Sequence, residues 1–202
     1  MGIIPFGNIP FGNICNDMNE SPFKYGVTVS NKSFTNRELE LEKLISNVTS
    51  GINTIIISPR RWGKTSLVEK AISQIKSQYK EFICVEIDLF IAGSIHEFIE
   101  IFARDVIKAS SSKWEDWIHA AKDFFKNIIP TIQVGIDPTT DFSISFDKHD
   151  LPKYYDEILQ LPQIIAQKKG VSYIICIDEF QNLATFDGYE QFEKKMRAVW
   201  QK

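Results

Sequence analysis

The stretch "TIIISPRRWGKTSL", residues 54–67, decides how this chain is interpreted. It opens with a short, β-branched apolar run, which is typical of a strand buried on both faces of a parallel sheet. It ends in Gly63, Lys64 and Thr65, which match the end of the phosphate-loop pattern G-x-x-x-x-G-K-[ST]. Ser58 stands where that pattern has its first glycine. The stretch therefore predicts a strand that ends at Ser58, a phosphate-binding loop and a following helix.

The departure at the first glycine is compatible with phosphate binding. Ser58 is small and lies where the chain leaves the strand, and Pro59, which lacks an N–H, precedes the amides nearest the helix. The amides of residues 60–65 are expected to form the anion-binding concavity. Gly63 keeps the position where the backbone approaches the phosphate most closely. The predicted nucleotide contacts in the loop are Ser58, Pro59, Arg60, Arg61, Trp62, Gly63, Lys64, Thr65 and Ser66.

The bulky side chains in the middle of the loop are expected to point away from the phosphate, because the backbone supplies the contacts. Arg60 and Trp62 then have solvated or packing roles. One of the two arginines, Arg60 or Arg61, is instead a candidate contact to a regulatory segment or a neighbouring subunit. An alternative for the whole stretch is a strand–turn–helix in which Gly-Lys-Thr occurs incidentally.

A second motif, "YIICIDEF", puts Asp178 and Glu179 at the carboxyl end of a strand predicted over residues 172–178. Ligands of parallel sheets bind at that edge. An aspartate there can hold Mg²⁺, usually through water, and a neighbouring glutamate can orient or deprotonate an attacking water. Asp88, which ends a predicted strand over 82–88, is expected to act as a cap or turn residue. Two solvated acids are the alternative, but both motifs together and in this order favour nucleotide binding.

The rest of the chain alternates helices and strands. Thr35 and Glu38 form a capping box that predicts a helix start, and further helices are predicted over 94–109, 114–128, 153–169 (with a break at Pro162) and from Tyr189 to the chain end. Residues 131–147 switch to period two and predict a hairpin with one apolar face. Continuously apolar strands that alternate with helices predict an α/β fold with a mainly parallel sheet covered on both faces.

Composition narrows the function classes. Apolar residues make up 44% of the 202 residues, charged residues 24%, and the net charge is −3. This is typical of a soluble globular domain and gives no support to nucleic-acid binding, although it does not exclude a local basic patch. Three cysteines without a C-x-x-C pair suggest no zinc or redox motif and favour a reduced, cytoplasmic setting. We expect no membrane association, because no apolar run has transmembrane length.

The N-terminal segment differs from the rest of the chain. It carries a tandem "PFGNI PFGNI" repeat at residues 5–14, and two copies are too few for a repeat architecture. Residues 1–21 are therefore predicted to be a disordered tail, and residues 22–202 the domain.

Three segments together, "SPFKYG…FTNRELELEKL", "SPRRWGKTSLV" and "IICIDEFQNL", resemble the archaeal-type ATPases of the STAND group, which are AAA-like P-loop NTPases. The resemblance covers residues 21–202. It implies a three-layer α/β/α fold and ATP with Mg²⁺. It also implies Lys64 on the phosphates, Thr65 and Asp178 at the metal, and Glu179 as the residue that activates water.

The same resemblance gives the "FTNRE" box a second role. In the family this box lies near the adenine, which makes Phe34, Asn36 and Arg37 candidate base-side contacts. From the residues alone, the box is only a helix cap. The two interpretations are compatible.

The resemblance further implies core strands in the order 5-1-4-3-2. Strands 1, 2 and 3 fall at residues 54–58, 82–88 and 172–178, so we expect the domain to be truncated before strand 4. The hairpin is then an insertion. A structure in which strand 3 pairs directly with strand 1 would refute this order.

The expected function is ATP binding with Mg²⁺-dependent hydrolysis by a switch ATPase, whose partners are a second copy or a regulatory protein. One alternative is a nucleotide switch that binds without turnover. Another is the ATPase of a DNA transaction, of the initiator or transposition-helper type, which would need a basic surface or a winged helix. A small-molecule kinase is disfavoured, because the Asp-Glu pair points to water as the phosphoryl acceptor.

Overall fold

A computed structural model describes residues 37–59, 61–125, 132–136 and 142–201. The helices are α1 (Glu38–Thr49), α2 (Lys64–Gln78), α3 (Ile95–Ala109), α4 (Trp114–Phe125), α5 (Tyr155–Leu159), α6 (Leu161–Lys169) and α7 (Tyr189–Trp200). The strands are β1 (Phe82–Asp88), β2 (Ile132–Ile136), β3 (Phe142–Phe146) and β4 (Ser172–Asp178). Short 3-10 turns occupy Leu89–Ile91, Leu151–Tyr154 and Phe180–Thr185.

The central sheet consists of β1 and β4, which run parallel and pair along their whole lengths, from Phe82 opposite Ser172 to Asp88 opposite Asp178. Both strands have the bounds that their apolar runs predict. Their pairing also agrees with the expected adjacency of strands 2 and 3. Because the strands are parallel and in register, their carboxyl ends lie side by side, and the two terminal aspartates meet at one edge of the sheet.

Helices cover both faces of this sheet. On one face, Ile72 and Ile75 of α2 pack against Cys84 of β1 and Ile174 of β4. On the other face, the main core joins the alternate residues of β1 to α3, α5, α6 and α7. The prediction of a mixed α/β fold with a parallel sheet is confirmed, because successive strand residues point to opposite faces and find helices on both.

The hairpin forms a second, separate sheet in which β2 and β3 pair antiparallel, with Val134 opposite Ile144. Its strands match the period-two prediction for residues 131–147. Ile144 and Phe146 are buried in the main core, so part of its apolar face is covered by this chain. Glu100 of α3 also accepts a hydrogen bond from the backbone N–H of Phe146 at 3.0 Å. The hairpin is therefore docked on α3 rather than extended from the domain.

The predicted strand over residues 54–58 is not formed. Residues 52–59 have no regular secondary structure, and the side chains of Ile55 and Ile57 are 85% and 91% exposed. Ile56 points the other way and packs against the cluster between α1 and α2. A strand exists only through hydrogen bonds to a neighbour, and none of the described strands pairs with this segment. The prediction was wrong because local composition cannot supply that neighbour.

Hydrogen bonds nevertheless hold this segment near both of its ends. Near its start, the Asn53 side chain donates to the carbonyl of Trp200, the last residue of α7, at 3.1 Å. At its end, the Ser58 carbonyl accepts from the Lys64 ammonium at 3.2 Å. β4 pairs with β1 and not with residues 54–58, so the pairing that would refute the expected strand order does not occur.

The start of α1 differs from the prediction, whereas the break predicted within residues 153–169 is present. α1 begins at Glu38 with Arg37 in the N-cap position, so Glu38 is the first helical residue and not the third, as the capping box requires. Thr35 lies outside the described residues, as do residues 1–21. The helix predicted over 153–169 is divided at Gln160 into α5 and α6, because Pro162 occupies the first turn of α6, where it needs no N–H donor.

None of the helices in the described part of the chain is both long and apolar enough to cross a membrane.

Candidate functional site

The loop between residue 58 and α2 has an unusual backbone. Arg61 and Gly63 both have positive φ, 66° and 69°, and Gly63 is the N-cap residue of α2. Glycine enters this left-handed region without strain, whereas an arginine must be held there by its surroundings. Left-handed residues next to right-handed ones gather successive N–H groups into a concave, anion-binding arrangement. The backbone thus has the conformational features expected of a phosphate loop from Arg61 to Lys64.

The first turn of α2 is open to an anion. Its N-cap residue, Gly63, has no side chain with which to cap the helix, and its first turn contains no acidic residue. Backbone amides at a helix N-terminus and the helix dipole both favour a negative charge there. Lys64 adds a cation, and its ammonium donates to the Ser58 carbonyl at 3.2 Å, which bridges the two ends of the loop. This end of α2 is therefore suited to bind a phosphate group.

The two predicted motifs meet in space. The Thr65 hydroxyl donates to Oδ2 of Asp178 at 3.2 Å, across 113 residues of sequence. Thr65 is placed by the first turn of α2 and Asp178 by the last residue of β4. Both side chains are exposed, so a ligand can reach them. The structure thus brings together the hydroxyl and the carboxylate that the sequence predicted as metal ligands.

Glu179 follows directly and has a strained backbone, with φ of 52° and ψ of 36°. Its N–H donates to Oδ1 of Asp178 at 2.9 Å, so the two Asp178 oxygens have different partners. Its carbonyl accepts from Asn182 at 2.8 Å, and its carboxylate accepts from the Gln181 side-chain amide. A left-handed, non-glycine residue held by its neighbours is frequent at functional sites. Glu179 is therefore fixed and exposed at the sheet edge where the sequence placed a catalytic base.

Arg37 contacts the loop in a way that sequence reasoning missed. Its Nη1 donates to the carbonyl of Trp62 at 2.8 Å and lies 3.3 Å from the carbonyl of Gly63. The resemblance placed Arg37 among the base-side contacts, with Phe34 and Asn36, which lie outside the described residues. No spacing rule relates an arginine to a loop 25 residues away, so only the structure could reveal these contacts.

The remaining predicted residues are distributed as follows. Trp62 is 68% exposed, which agrees with a side chain that points away from the loop backbone. Pro59 and Arg61 are exposed and Ser66 is buried, whereas Arg60 lies outside the described residues. Asp88 accepts a hydrogen bond from the N–H of Phe90 at 2.8 Å, which confirms its predicted role as a cap.

Two cysteines lie beneath the site, in the face of the sheet that α2 covers. Cys84 is buried and Cys176 half-buried. Burial raises the pKa of Cys176 to about 11, which keeps its thiol protonated at neutral pH. Both cysteines therefore act as small apolar side chains in this part of the core.

The site residues fit a small, hard cation that is only partly coordinated by protein. Among the described residues, no group of three or more His, Cys, Asp or Glu side chains could hold a metal ion. Mg²⁺ does not require such a group, because it is typically bound by one or two carboxylates together with waters and substrate phosphates. The Thr65 hydroxyl and the Asp178 carboxylate provide oxygen ligands of this kind, next to the phosphate-binding end of α2.

In comparisons with known proteins, no protein family, no curated protein and no solved structure matched the chain.

Proposed function

We propose that this chain binds ATP with Mg²⁺ and hydrolyses it as a P-loop ATPase of the AAA-like STAND type, acting as a molecular switch. One observation carries the proposal: the Thr65 hydroxyl lies 3.2 Å from the Asp178 carboxylate although 113 residues separate them. A Gly-Lys-Thr sequence or an Asp-Glu pair can each occur by chance. Their meeting at the carboxyl edge of a parallel sheet supports a common function.

The geometry around this pair supports phosphate binding. The left-handed Gly63 and the uncapped N-terminus of α2 offer backbone amides, and Lys64 offers a positive charge. These groups are of the kind that cradle nucleotide phosphates at the start of a helix. Because the amides belong to the backbone, the replacement of the first glycine by Ser58 does not remove them.

Each side chain has a defined task in the proposed reaction. Lys64 leaves the Ser58 carbonyl to hold phosphate oxygens, and Thr65 and Asp178 would hold the metal ion. Mg²⁺, when bound, would neutralise charge that develops on the transferred phosphoryl group. Glu179 accepts a proton from the attacking water or orients that water. The acceptor is water, which gives ADP and inorganic phosphate as products.

The test is Mg²⁺-dependent ATP binding by the chain, measured by isothermal titration calorimetry. The Asp178→Asn and Lys64→Ala variants are expected to weaken binding at least tenfold, as loss of a charged contact does. Asp187→Asn is the matched control, because Asp187 is an exposed aspartate in the same part of the chain. Equal affinity of the Asp178→Asn variant and the wild type would refute the assignment of Asp178.

A second candidate function is nucleotide binding without turnover. It is favoured by the engagement of the Glu179 carboxylate with the Gln181 amide, which holds the candidate base in place before any substrate arrives. The Glu179→Gln variant separates the two functions. If it binds ATP as the wild type does but releases no phosphate, Glu179 is the base. If the wild type also releases none, the chain is a binding module.

We also propose the finer fold that the resemblance implies, a three-layer P-loop NTPase with core strand order 5-1-4-3-2. The adjacency and parallel pairing of β1 and β4 support it. The course of residues 53–58 toward Lys64 supports it as well, since a first strand would have to deliver the chain to the loop. The exposed Ile55 and Ile57 are the side chains that a neighbouring strand and its helices would cover.

A further inference from the structure

We propose that Arg37 is a positioning residue of the phosphate loop, whose guanidinium holds the carbonyls of Trp62 and Gly63 so that the amides following them are presented to a bound polyphosphate. This inference rests on the proposed function and deepens it. It assigns Arg37 a role toward the phosphates, in place of the contact to the base that the resemblance implies.

The planar peptide links the direction of each carbonyl to that of the amide that follows it. In a trans peptide, the C=O and the following N–H point in opposite directions. Nη1 of Arg37 draws the Trp62 carbonyl to itself at 2.8 Å, so the N–H of Gly63 must point away from the guanidinium. The contact to the Gly63 carbonyl at 3.3 Å acts in the same way on the N–H of Lys64. One guanidinium nitrogen thus fixes the direction of the Gly63 amide, and it shares the Gly63 carbonyl with the N–H of Leu67, which donates to that carbonyl at 3.0 Å.

The Trp62–Gly63 peptide needs such a restraint. Gly63 has φ of 69°, and glycine exchanges between left- and right-handed conformations at little cost. A flip of this peptide would turn the Trp62 carbonyl toward the anion and the Gly63 N–H away from it. A carbonyl oxygen repels phosphate, so the flipped loop would lose one donor and gain one acceptor in the same place.

Arg37 is well placed to hold the loop. It is the N-cap residue of α1, and its side chain is only 27% exposed, which is low for an arginine. α1 is fixed to α2 by an apolar cluster that includes Leu44 and Leu67. The guanidinium therefore reaches the loop from a helix that is itself packed on the helix that follows the loop. Glu40, 3.8 Å from Nε of Arg37, is 56% exposed and adds little to this arrangement.

The experiment compares two ligands that share phosphates but differ in the base. ATP and inorganic tripolyphosphate are titrated, each with Mg²⁺, into the wild type and into Arg37→Ala, and dissociation constants are measured by calorimetry. We expect Arg37→Ala to weaken the binding of both ligands by the same factor, about tenfold, because the loop amides contact only the phosphates. If the variant binds ATP more weakly but tripolyphosphate as tightly as the wild type, Arg37 contacts the base or the ribose and the inference is wrong.

The dependence of affinity on ionic strength distinguishes a residue that positions the loop from a charge that attracts the ligand at long range. A charge that merely attracts the ligand is screened, so its effect would disappear at high ionic strength. The ratio of the two dissociation constants, variant over wild type, is expected to persist at high salt if Arg37 orients the loop. A ratio that falls to one would overturn the inference.

Two further variants control for folding. Ile107→Ala lies in the main core and outside the cluster that joins α1 to α2, so it leaves the anchoring of Arg37 intact, and it is expected to lower the melting temperature without changing the tripolyphosphate affinity of the folded protein. If Arg37→Ala does not fold, Arg37→Lys carries the test. This variant keeps the charge and a single donor group. It should weaken the binding of both ligands by the same factor, and that factor should be smaller than for Arg37→Ala.

The outcomes distinguish this inference from the proposed function. A wild type that binds neither ligand refutes both. A wild type that binds both, combined with an Arg37→Ala variant of unchanged affinity for tripolyphosphate, refutes the role of Arg37 and leaves ATP binding standing.

Discussion

The conformation of Gly63 offers a sharp test of the loop, because stability and ligand binding respond to it differently. Gly63 has φ of 69° and ψ of 32°, and among the described residues a Cβ built on it would meet only Nη1 of Arg37, at 3.7 Å. That distance is an ordinary contact. The Gly63→Ala variant is therefore expected to suffer from backbone strain and not from steric overlap.

The size of the strain can be estimated. An L-residue in the left-handed region costs roughly 1–2 kcal/mol relative to the right-handed one. Alanine also restricts the unfolded chain more than glycine does, which stabilises the folded state by about 0.4–1 kcal/mol. The net loss in the free energy of unfolding is thus about 1 kcal/mol. For a chain of 202 residues, this corresponds to a decrease in melting temperature of about 2–4 °C.

A matched control exists elsewhere in the chain. Gly170, after α6, has φ of 65° and ψ of 38°, and a Cβ there would meet no atom of the residues that the structure describes within 4 Å. Gly170→Ala should lose the same stability as Gly63→Ala, measured by urea denaturation, but keep full affinity for tripolyphosphate. Gly63→Ala should lose affinity as well, since relief of strain rotates the peptide that carries the Gly63 amide. Asparagine tolerates the left-handed region, so Gly63→Asn should recover part of both losses.

Two results would refute this reasoning. If Gly63→Ala lost much more stability than Gly170→Ala, crowding against Arg37 would be the cause, contrary to the 3.7 Å clearance. If the two variants lost equal stability and Gly63→Ala still bound tripolyphosphate as the wild type does, the conformation at this position would have no role in anion binding.

Three further predictions concern stability. Phe102→Ala, at a side chain that is fully buried, should lower the free energy of unfolding by about 3–5 kcal/mol in urea, whereas Phe90→Ala, at a 72% exposed side chain, should change it by less than about 0.5 kcal/mol. Glu100→Ala removes the acceptor for the Phe146 N–H and should cost about 1–3 kcal/mol by the same measurement; an unchanged value would mean that the hairpin does not depend on this contact. Burial raises the pKa of Cys176 from 9.0 to about 11, so the stability linked to its neutral thiol is fully present below pH 9 and is lost as the pH rises toward 11. Cys176→Ala should therefore flatten the decline in the free energy of unfolding over this pH range. An identical decline in the variant and the wild type would contradict the linkage.

The parts of the fold that could be predicted are those whose signal is local and continuous. The runs "FICVEID" and "SYIICID" became β1 and β4 with the predicted bounds, because both strands are covered by helices on both faces and need apolar residues throughout. The run "TIIIS" carries the same signal and forms no strand. The difference is that β1 and β4 pair with each other, while no described strand pairs with residues 54–58.

The contacts of Arg37 could not be predicted for a related reason. Side chains that act across 25 residues leave no periodicity, and the position before α1 looks like an ordinary helix start. The resemblance implied a contact of Arg37 with the adenine base and none with the phosphate loop. Contacts between side chains and distant carbonyls depend on how two helices pack, which a single sequence does not reveal.

The Thr65–Asp178 pair could be predicted although the strand before the loop could not, because the pair does not depend on that strand. Thr65 is carried by α2, which is fixed to the sheet where Ile72 and Ile75 pack against Ile174 of β4. Asp178 ends that same strand, so the distance between the two side chains is set by the docking of one helix on one strand. The unpaired segment delivers the chain to the loop but does not position either ligand. The metal-binding half of the proposed site therefore lies where α2 and β4 meet, and it does not depend on a strand over residues 54–58.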